Sequence, residues 1–462
     1  MLSHFGRHLP ERAKNALKPY LAWVPQALRR GTVYRKWSRF LDSAQYWPHE
    51  RIRAWQLEQL KAIITFAYRK TRGYRELYAQ AGISPADIRS LDDARHLPFA
   101  TKQLLRDNLE DFSVPSLLRA YVTTGGSTGI PFGFYMSWGM DEVEDAFVFR
   151  AWSDVGWRLG TRCAVLRGGF VGDENSPWTF DSYRNELLLS SYYLTSRTLD
   201  AYIGAIKRFK PPALQAYPSA LRLLCDLLKD HGRVGEISFD MILLASENVY
   251  DWLIQAVEET FPAARLFDFY GHTERAIFAP WCQSSRTYHV WPYYGFTEIL
   301  GPNGQEVAQG TEGELVGTSF HMRGTPFIRY RTEDRALKGS DSCPCCKRNF
   351  LQLDKIIGRN QEVIVTRTGR YISMTAMNMH SRVFDHLRQF QFYQDTRGEV
   401  EFRMVPKENY PEEETKGIYL ELMKKLGEDV DLKLVFVDDI ARTSAGKFRF
   451  LDQRLPIDYY TR

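Results

Sequence analysis

The segment TTGGSTGIP at 123–131 brings three glycines and four hydroxyl side chains into nine positions. Glycine lets main-chain N–H groups approach an anion closely and the hydroxyls add donors, so the segment suits the phosphates of a nucleoside triphosphate. It has neither the GxxxxGK[ST] nor the GxGxxG spacing, and a Gly/Ser/Thr run before proline also makes an ordinary turn. Its meaning therefore depends on what else the chain supplies. FDFYGHTERA at 267–276 reads as a buried strand followed by glycine, which sets Thr273 and Glu274 at a carboxyl end, where open parallel sheets bind ligands. YRTEDRA at 330–336 places Asp334 at the end of another expected strand, able to accept both hydroxyls of a ribose. ARTSAGKFRF at 441–450 offers Lys447 in a glycine-containing turn. Taken singly, such charged residues are usually solvated or cap helices.

The elements that must position these residues follow from length and pattern. A chain of 462 residues exceeds the size at which one core stops growing, so two or more domains are expected. A hydrophobic content of 44% with 14% aromatics is that of a globular protein, and a net charge of +5 is too small to argue for nucleic acid. Residues 50–112 read as helical. Beyond 123 the apolar runs AVLRGG (164–169), ALQAYP (213–218), MILLAS (241–246) and RLFDFYG (265–271) read as buried strands. They alternate with the helical stretches SALRLLCDLLKDHG and VYDWLIQAVEETF. That alternation predicts an α/β architecture with parallel strands. From 290 to 335 the pattern turns to β, with GPNGQ as a turn and GELVGTSF and TPFIRYRT as strands. The last hundred residues predict a small α+β domain. The expected domains are a basic arm at 1–48, a large domain at 49–357 and a small domain at 358–462.

The basic arm holds nine Arg or Lys within residues 1–40 against the single acid Glu11. It is a candidate for peripheral contact with an anionic membrane or a partner. Pro10, Pro19 and Pro25 interrupt its amphipathic surface and favour packing on its own protein. The sequence has no stretch apolar and long enough to span a membrane, and a cytoplasmic protein is expected. Of six cysteines, Cys163 and Cys225 sit in apolar runs, whereas CPCC at 343–346 has a spacing that suits metal ligation better than a disulfide framework.

Together, TTGGSTGIP, YGHTE, YRTED, GRNQ and RTSAGK resemble, in order and spacing, the motifs of the adenylate-forming superfamily of acyl-CoA synthetases and ligases. The segment WQLEQLKAIITFAYRKTRGYRELYAQAGI with DIRSLDDARHLPFATKQLLRDN is similar to the phenylacetate-CoA ligase branch and its capsule-biosynthesis (CapK-like) relatives. The resemblance covers about residues 50 to 460 and implies a large N-terminal adenylate-forming domain plus a small mobile C-terminal one. It implies activation of a carboxylic acid, aromatic acids included, as an acyl-AMP with loss of pyrophosphate, then acyl transfer to coenzyme A. A carrier-protein thiol or an amine remains an alternative acceptor.

By the same resemblance Thr124, Gly125, Gly126, Ser127, Thr128 and Gly129 would cradle ATP phosphates, with Thr273 on phosphate and Glu274 on Mg²⁺. Ser246, Glu247, Tyr270 and Gly271 would lie beside the nucleotide, Asp334 and Arg359 would serve the ribose, and His272 and Ala276 are candidates for the acyl pocket. Lys447 would reach the α-phosphate and the acyl carboxylate, stabilising the charge that develops there. Two departures stand out. Gln361 replaces the usual Asp at the hinge, and Phe132 follows Pro131 where Lys is frequent. CPCCKR resembles the CPCGR stretch of many members of the branch, which pair it with an upstream Cys and often a His. That implies a structural Zn²⁺ held by Cys282, His289, Cys343 and either Cys345 or Cys346.

A nucleic-acid module fits poorly, because only Lys338, Lys347, Arg348 and Lys355 flank the cysteines and no aromatic-basic repeat follows. A nucleotide-binding relative without turnover would be marked by loss of Lys447 or Glu274, and both are present.

Overall fold

The computed structural model describes residues 24, 26–117, 119–123, 132–167, 170, 173, 175–191, 193–359, 363–368, 371–373, 377, 384, 386–442 and 448–455; of Ala27, Arg359, Tyr371 and Ser373 only the backbone is described. The expected phosphate cradle at 124–129, the hinge residue Gln361 and the lysine Lys447 lie outside the described residues. The chain forms two compact units, each built from three segments: 1–162, 181–186 and 266–356 in the first, and 163–180, 187–265 and 357–462 in the second.

The first unit begins with helices α1 (Thr32–Ala44) and α2 (His49–Lys70). In α2 the buried Ile52, Leu60, Ile63, Ile64 and Ala67 form one stripe at helical spacing, and Glu50 near its start and Arg69 and Lys70 at its end complement the helix dipole. Trp37 and Phe40 of α1 pack against Trp55 of α2, and Phe40 also meets Tyr293 edge-on at 5.1 Å. The described end of the basic arm is therefore a packed helix. Strands β1 (Ala120–Thr123) and β2 (Gly133–Met136) pair antiparallel, and α3 (Met140–Trp152) follows. Phe132, which follows Pro131, is fully buried and contacts Phe134 and Phe327.

The second unit opens with β3 (Cys163–Arg167), β4 (Trp178–Asp181) and β5 (Glu186–Ser190). Then α4 (Leu199–Phe209), β6 (Ala213–Ala216), α5 (Pro218–Asp230), β7 (Met241–Leu244), α6 (Asp251–Thr260) and β8 (Arg265–Phe267) alternate. These strands form one sheet in the order β4-β5-β3-β6-β7-β8, with β3, β6 and β7 mutually parallel. All four residues of β7 are buried, as expected of a parallel strand covered on both faces. Pro218 opens α5, where its missing N–H costs nothing.

The expected single strand RLFDFYG is broken. β8 ends at Phe267, Asp268 intervenes, and β9 (Phe269–Gly271) pairs antiparallel with β10 (Phe278–Pro280) in a separate ribbon. Asp268 is buried and accepts a hydrogen bond from the Tyr288 hydroxyl at 2.5 Å, a partner twenty residues away that no local pattern announces. Thr273 and Glu274 therefore follow an antiparallel ribbon and not the parallel sheet. The first unit closes with a five-stranded antiparallel sheet in the order β11-β15-β14-β13-β12. Its strands are β11 (Tyr288–His289), β12 (Gly295–Leu300), β13 (Glu312–Ser319), β14 (Tyr330–Lys338) and β15 (Gln352–Arg359). The GPNGQ turn joins β12 to β13, with Gly304 at φ +72. TPFIRYRT becomes a strand only from Tyr330, because Arg329, at φ +47, turns its side chain inward to Glu298 and the carbonyls of Arg95 and Leu97.

The remaining segment of the second unit carries a β16 (Val363–Val365) and β17 (Tyr371–Ser373) pair. A four-stranded sheet follows, with β18 (Leu387–Gln394), β19 (Glu399–Pro406), β20 (Asp431–Phe436) and β21 (Leu451–Gln453) in the order β20-β19-β18-β21. Helix α7 (Glu414–Leu426) lies between β19 and β20 in sequence. The architecture is the expected α/β fold, a large region of mixed sheets plus a small α+β C-terminal part.

Candidate functional site

In the first unit the turn after β9 is built around Arg275. Its φ is +55, its N–H bonds the His272 carbonyl, and its guanidinium reaches Asp141 at 3.0 Å and Glu144 at 3.8 Å on α3. With the turn pinned this way, Glu274 points inward. Its Oε1 accepts the Tyr330 hydroxyl at 2.8 Å and its Oε2 lies 3.2 Å from His272 Nδ1. Burial opposes ionisation of this carboxyl, but the His272 hydrogen bond and charge, together with Lys102, bring its pKa down to about 2. An ionised carboxylate only accepts, so Nδ1 carries the proton of this bond. Thr273 and Gly271 are exposed beside it, and Ala276 is fully buried in the core against Gly317 and the chain at Gly295.

Asp334 lies inside β14 and not at its end. The register against β13 shifts between Glu314 and Val316, and Glu333 adopts φ +65, so a bulge re-aims the side chain that follows. The Asp334 carboxylate then accepts the Tyr270 hydroxyl at 2.7 Å. Tyr270, Glu274, Tyr330 and Asp334 thus come together from β9, its turn and β14, with one oxygen of each carboxylate fixed by a phenol.

In the second unit Ser246 and Glu247 follow β7. Ser246 is exposed at φ +75, a conformation that strains a non-glycine residue. The Glu247 carboxylate accepts the Ser219 N–H at 2.8 Å and hydroxyl at 3.1 Å at the start of α5, and the Phe448 N–H at 3.3 Å. Phe448 directly follows Lys447. Two residues on, Phe450 meets Tyr250 and Trp252 edge-on at 5.6 and 5.1 Å. Arg359 closes β15, its side chain outside the description.

A third group lies wholly in the first unit. The ligand atoms of Cys282, His289, Cys343 and Cys346 all stand within 4.8 Å of one another. Tetrahedral ligands held at about 2.3 Å from a zinc ion stand about 3.8 Å apart, so the set fits a closed four-coordinate centre. Two turns present it. In one, Cys282 exchanges backbone bonds with Arg286 and Thr287; in the other, the Cys343 carbonyl accepts the Lys347 N–H. Arg286 and Lys347 both take positive φ. Cys346 Sγ lies 3.7 Å from His289 Nδ1. The Cys346 thiol hydrogen-bonds Cys282 and pulls it toward the thiolate, and its own pKa rises in return. Cys345 is exposed and outside the group. This is a candidate metal site of the Cys/His type.

Sequence reasoning did not single out Tyr330, Arg275 or Asp268. Tyr330 begins the YRTED stretch, and its position there was the one available signal. No described helix is long and apolar enough to cross a membrane.

Residues 364–453 match the CapK C-terminal domain family. The chain is 26% identical over 332 residues to a phenylacetate-coenzyme A ligase of Thermus thermophilus, covering 69% of this chain and 73% of that one. It is 21% identical over 407 residues to protein CapK of Staphylococcus aureus, covering 86% and 88%. Its fold is similar to that of a 2-hydroxyisobutyryl-CoA ligase solved in the postadenylation state, with a TM-score of 0.70 at 17% identity over 88% of this chain and 91% of that one. By sequence the chain is similar to the phenylacetate-CoA ligases and to CapK, its residues 364–453 match the CapK C-terminal domain, and its fold is that of the solved acyl-CoA ligase.

Proposed function

We propose that this protein is an AMP-forming acid ligase: it condenses a carboxylic acid with ATP to an acyl-AMP, releases pyrophosphate, and passes the acyl group to coenzyme A. The observation that carries the reading is the paired arrangement of Tyr330 on Glu274 and Tyr270 on Asp334. Glu274 is an ionised, oriented carboxylate suited to Mg²⁺, a hard ion that takes oxygen ligands and neutralises phosphate charge when bound. Asp334, oriented by the Tyr270 hydroxyl, is suited to accept the ribose hydroxyls. Thr273, exposed next to Glu274, offers a hydroxyl to phosphate. The loop 124–129 and Lys447 complete the reading from their motifs, with Lys447 placing a cation at the charge that develops between acid and α-phosphate.

The Cys282, His289, Cys343 and Cys346 group is proposed to hold structural Zn²⁺. All four positions are filled by protein, which leaves none for a reacting water. The test of the whole reading is acid-dependent pyrophosphate release from ATP and Mg²⁺, assayed over aromatic, fatty and amino acids, with and without coenzyme A. Release that turns over only when coenzyme A is added supports the ligase. A single turnover that coenzyme A does not relieve points to a carrier thiol or an amine as the acceptor.

A further inference from the structure

In the sheet ordered β4-β5-β3-β6-β7-β8, the chain leaves β3 toward β5 on one side and returns to β6 on the other. The strand order therefore reverses at β3, and crevices outside the carboxyl ends of strands at such a reversal are where open α/β sheets bind ligands. The last residue of β3 is Arg167. In the parallel register Leu166 pairs with Ala216 and Ala216 with Leu244, so Arg167, Tyr217 and the Ala245–Ser246 step stand side by side at the carboxyl edge.

Arg167 is prepared there for a ligand. Its guanidinium lies 4.9 Å from the centre of the Tyr217 ring, and one of its amino groups donates to Ser246 Oγ at 3.2 Å. Among the described residues it has no carboxylate partner, whereas other arginines of this unit, such as Arg222 and Arg233, are paired with Asp226 and Glu236. The nearby acid Glu247 is committed to Ser219 and Phe448. Ser246 holds its hydroxyl on Arg167 from a strained backbone, the kind of cost that persists where a site requires it. A planar fork whose remaining donors have no partner among the described residues matches a carboxylate or phosphate group.

We propose that Arg167, oriented by Tyr217 and Ser246, is an oxyanion-binding residue of the second unit. The oxyanion is either a nucleotide phosphate or the carboxylate of the acid. The proposal rests on the acid-activating reading only for its choice of probes.

The test is arginine-specific modification of the full-length protein with phenylglyoxal, following Arg167 by peptide mass spectrometry. The probes are MgATP, AMP, pyrophosphate, acetate, benzoate and phenylacetate. Protection of roughly tenfold or more by ATP or pyrophosphate assigns the site to phosphate; protection by a carboxylate and not by pyrophosphate assigns it to the acid. Arg167→Met then weakens the protecting probe by roughly ten- to a hundredfold, and Arg167→Lys, which keeps the charge but loses the fork, recovers part of the loss. Modification of Arg167 at one rate with every probe, with Arg167→Met binding them as the wild type does, overturns the proposal. Pyrophosphate release measured on the same preparation separates the two readings. Release without protection removes the oxyanion site alone, and protection without release removes the ligase and leaves the site.

Discussion

Tyr330 donates its hydroxyl to Glu274 across 2.8 Å from the first residue of β14, so the strand that carries Asp334 also fixes the carboxylate of the turn after β9. Tyr330→Phe removes that donor and leaves a buried charge short of one hydrogen bond, a loss of about 1–3 kcal/mol. Denaturant unfolding at neutral pH should show this loss. Pyrophosphate release should also fall roughly tenfold as the carboxylate loses its orientation. Unchanged release with lowered stability would make Tyr330 a packing residue only.

Asp268 titrates in the opposite sense. Burial pushes its carboxyl up to about 6 against the hydrogen bonds from Tyr288 and the Phe269 backbone, and its Oδ1 has no hydrogen-bond partner among the described side chains. Between about pH 4 and 6 the folded chain holds a proton that the unfolded chain has lost, so stability falls as pH rises through that window, by about 3 kcal/mol at most. Asp268→Asn should therefore be the more stable protein above pH 6, with the gain gone by pH 4. A gain that is the same at both pH values would contradict the account. Glu274, held near 2, has the reverse sign: its contribution is present above about pH 4.5 and is lost as the pH falls toward 2.

The proposed metal centre predicts a contrast between adjacent cysteines. Cys346→Ser should remove the bound metal, read by elemental analysis, and lower thermal stability. Cys345→Ser, at the exposed neighbour, should keep one metal per chain. Equal metal content in both variants would remove the four-ligand assignment.

Glu247 joins the start of α5 to the residue after Lys447. Ser219→Ala removes only the hydroxyl bond at α5, whereas Glu247→Ala also frees the Phe448 N–H. The second variant should therefore lose roughly tenfold more pyrophosphate release than the first, with similar melting temperatures. Equal losses would leave Glu247 as a helix cap alone.

The parallel strands β3, β6 and β7 were legible as short apolar runs between amphipathic helices, and the turn glycines of GPNGQ were legible by type. The break at Asp268 was not, because the residue that satisfies it, Tyr288, is distant in sequence. Asp334 was read at a strand end because the bulge depends on a positive φ at Glu333, a residue that does not signal it. The cysteine cluster was legible as a group, while the choice between Cys345 and Cys346 depended on how the turn at Lys347 folds. Arg167 escaped notice because a lone arginine ending a strand reads as a surface charge until its neighbours at the sheet edge are known.

The most direct measurement is acid-dependent release of pyrophosphate from MgATP by the wild-type chain and by Lys447→Ala. A cation at developing charge contributes roughly 3–4 kcal/mol, so the account predicts release with at least one acid and a loss of roughly two to three orders of magnitude in the variant. Equal release by both proteins would contradict the acid-activating mechanism.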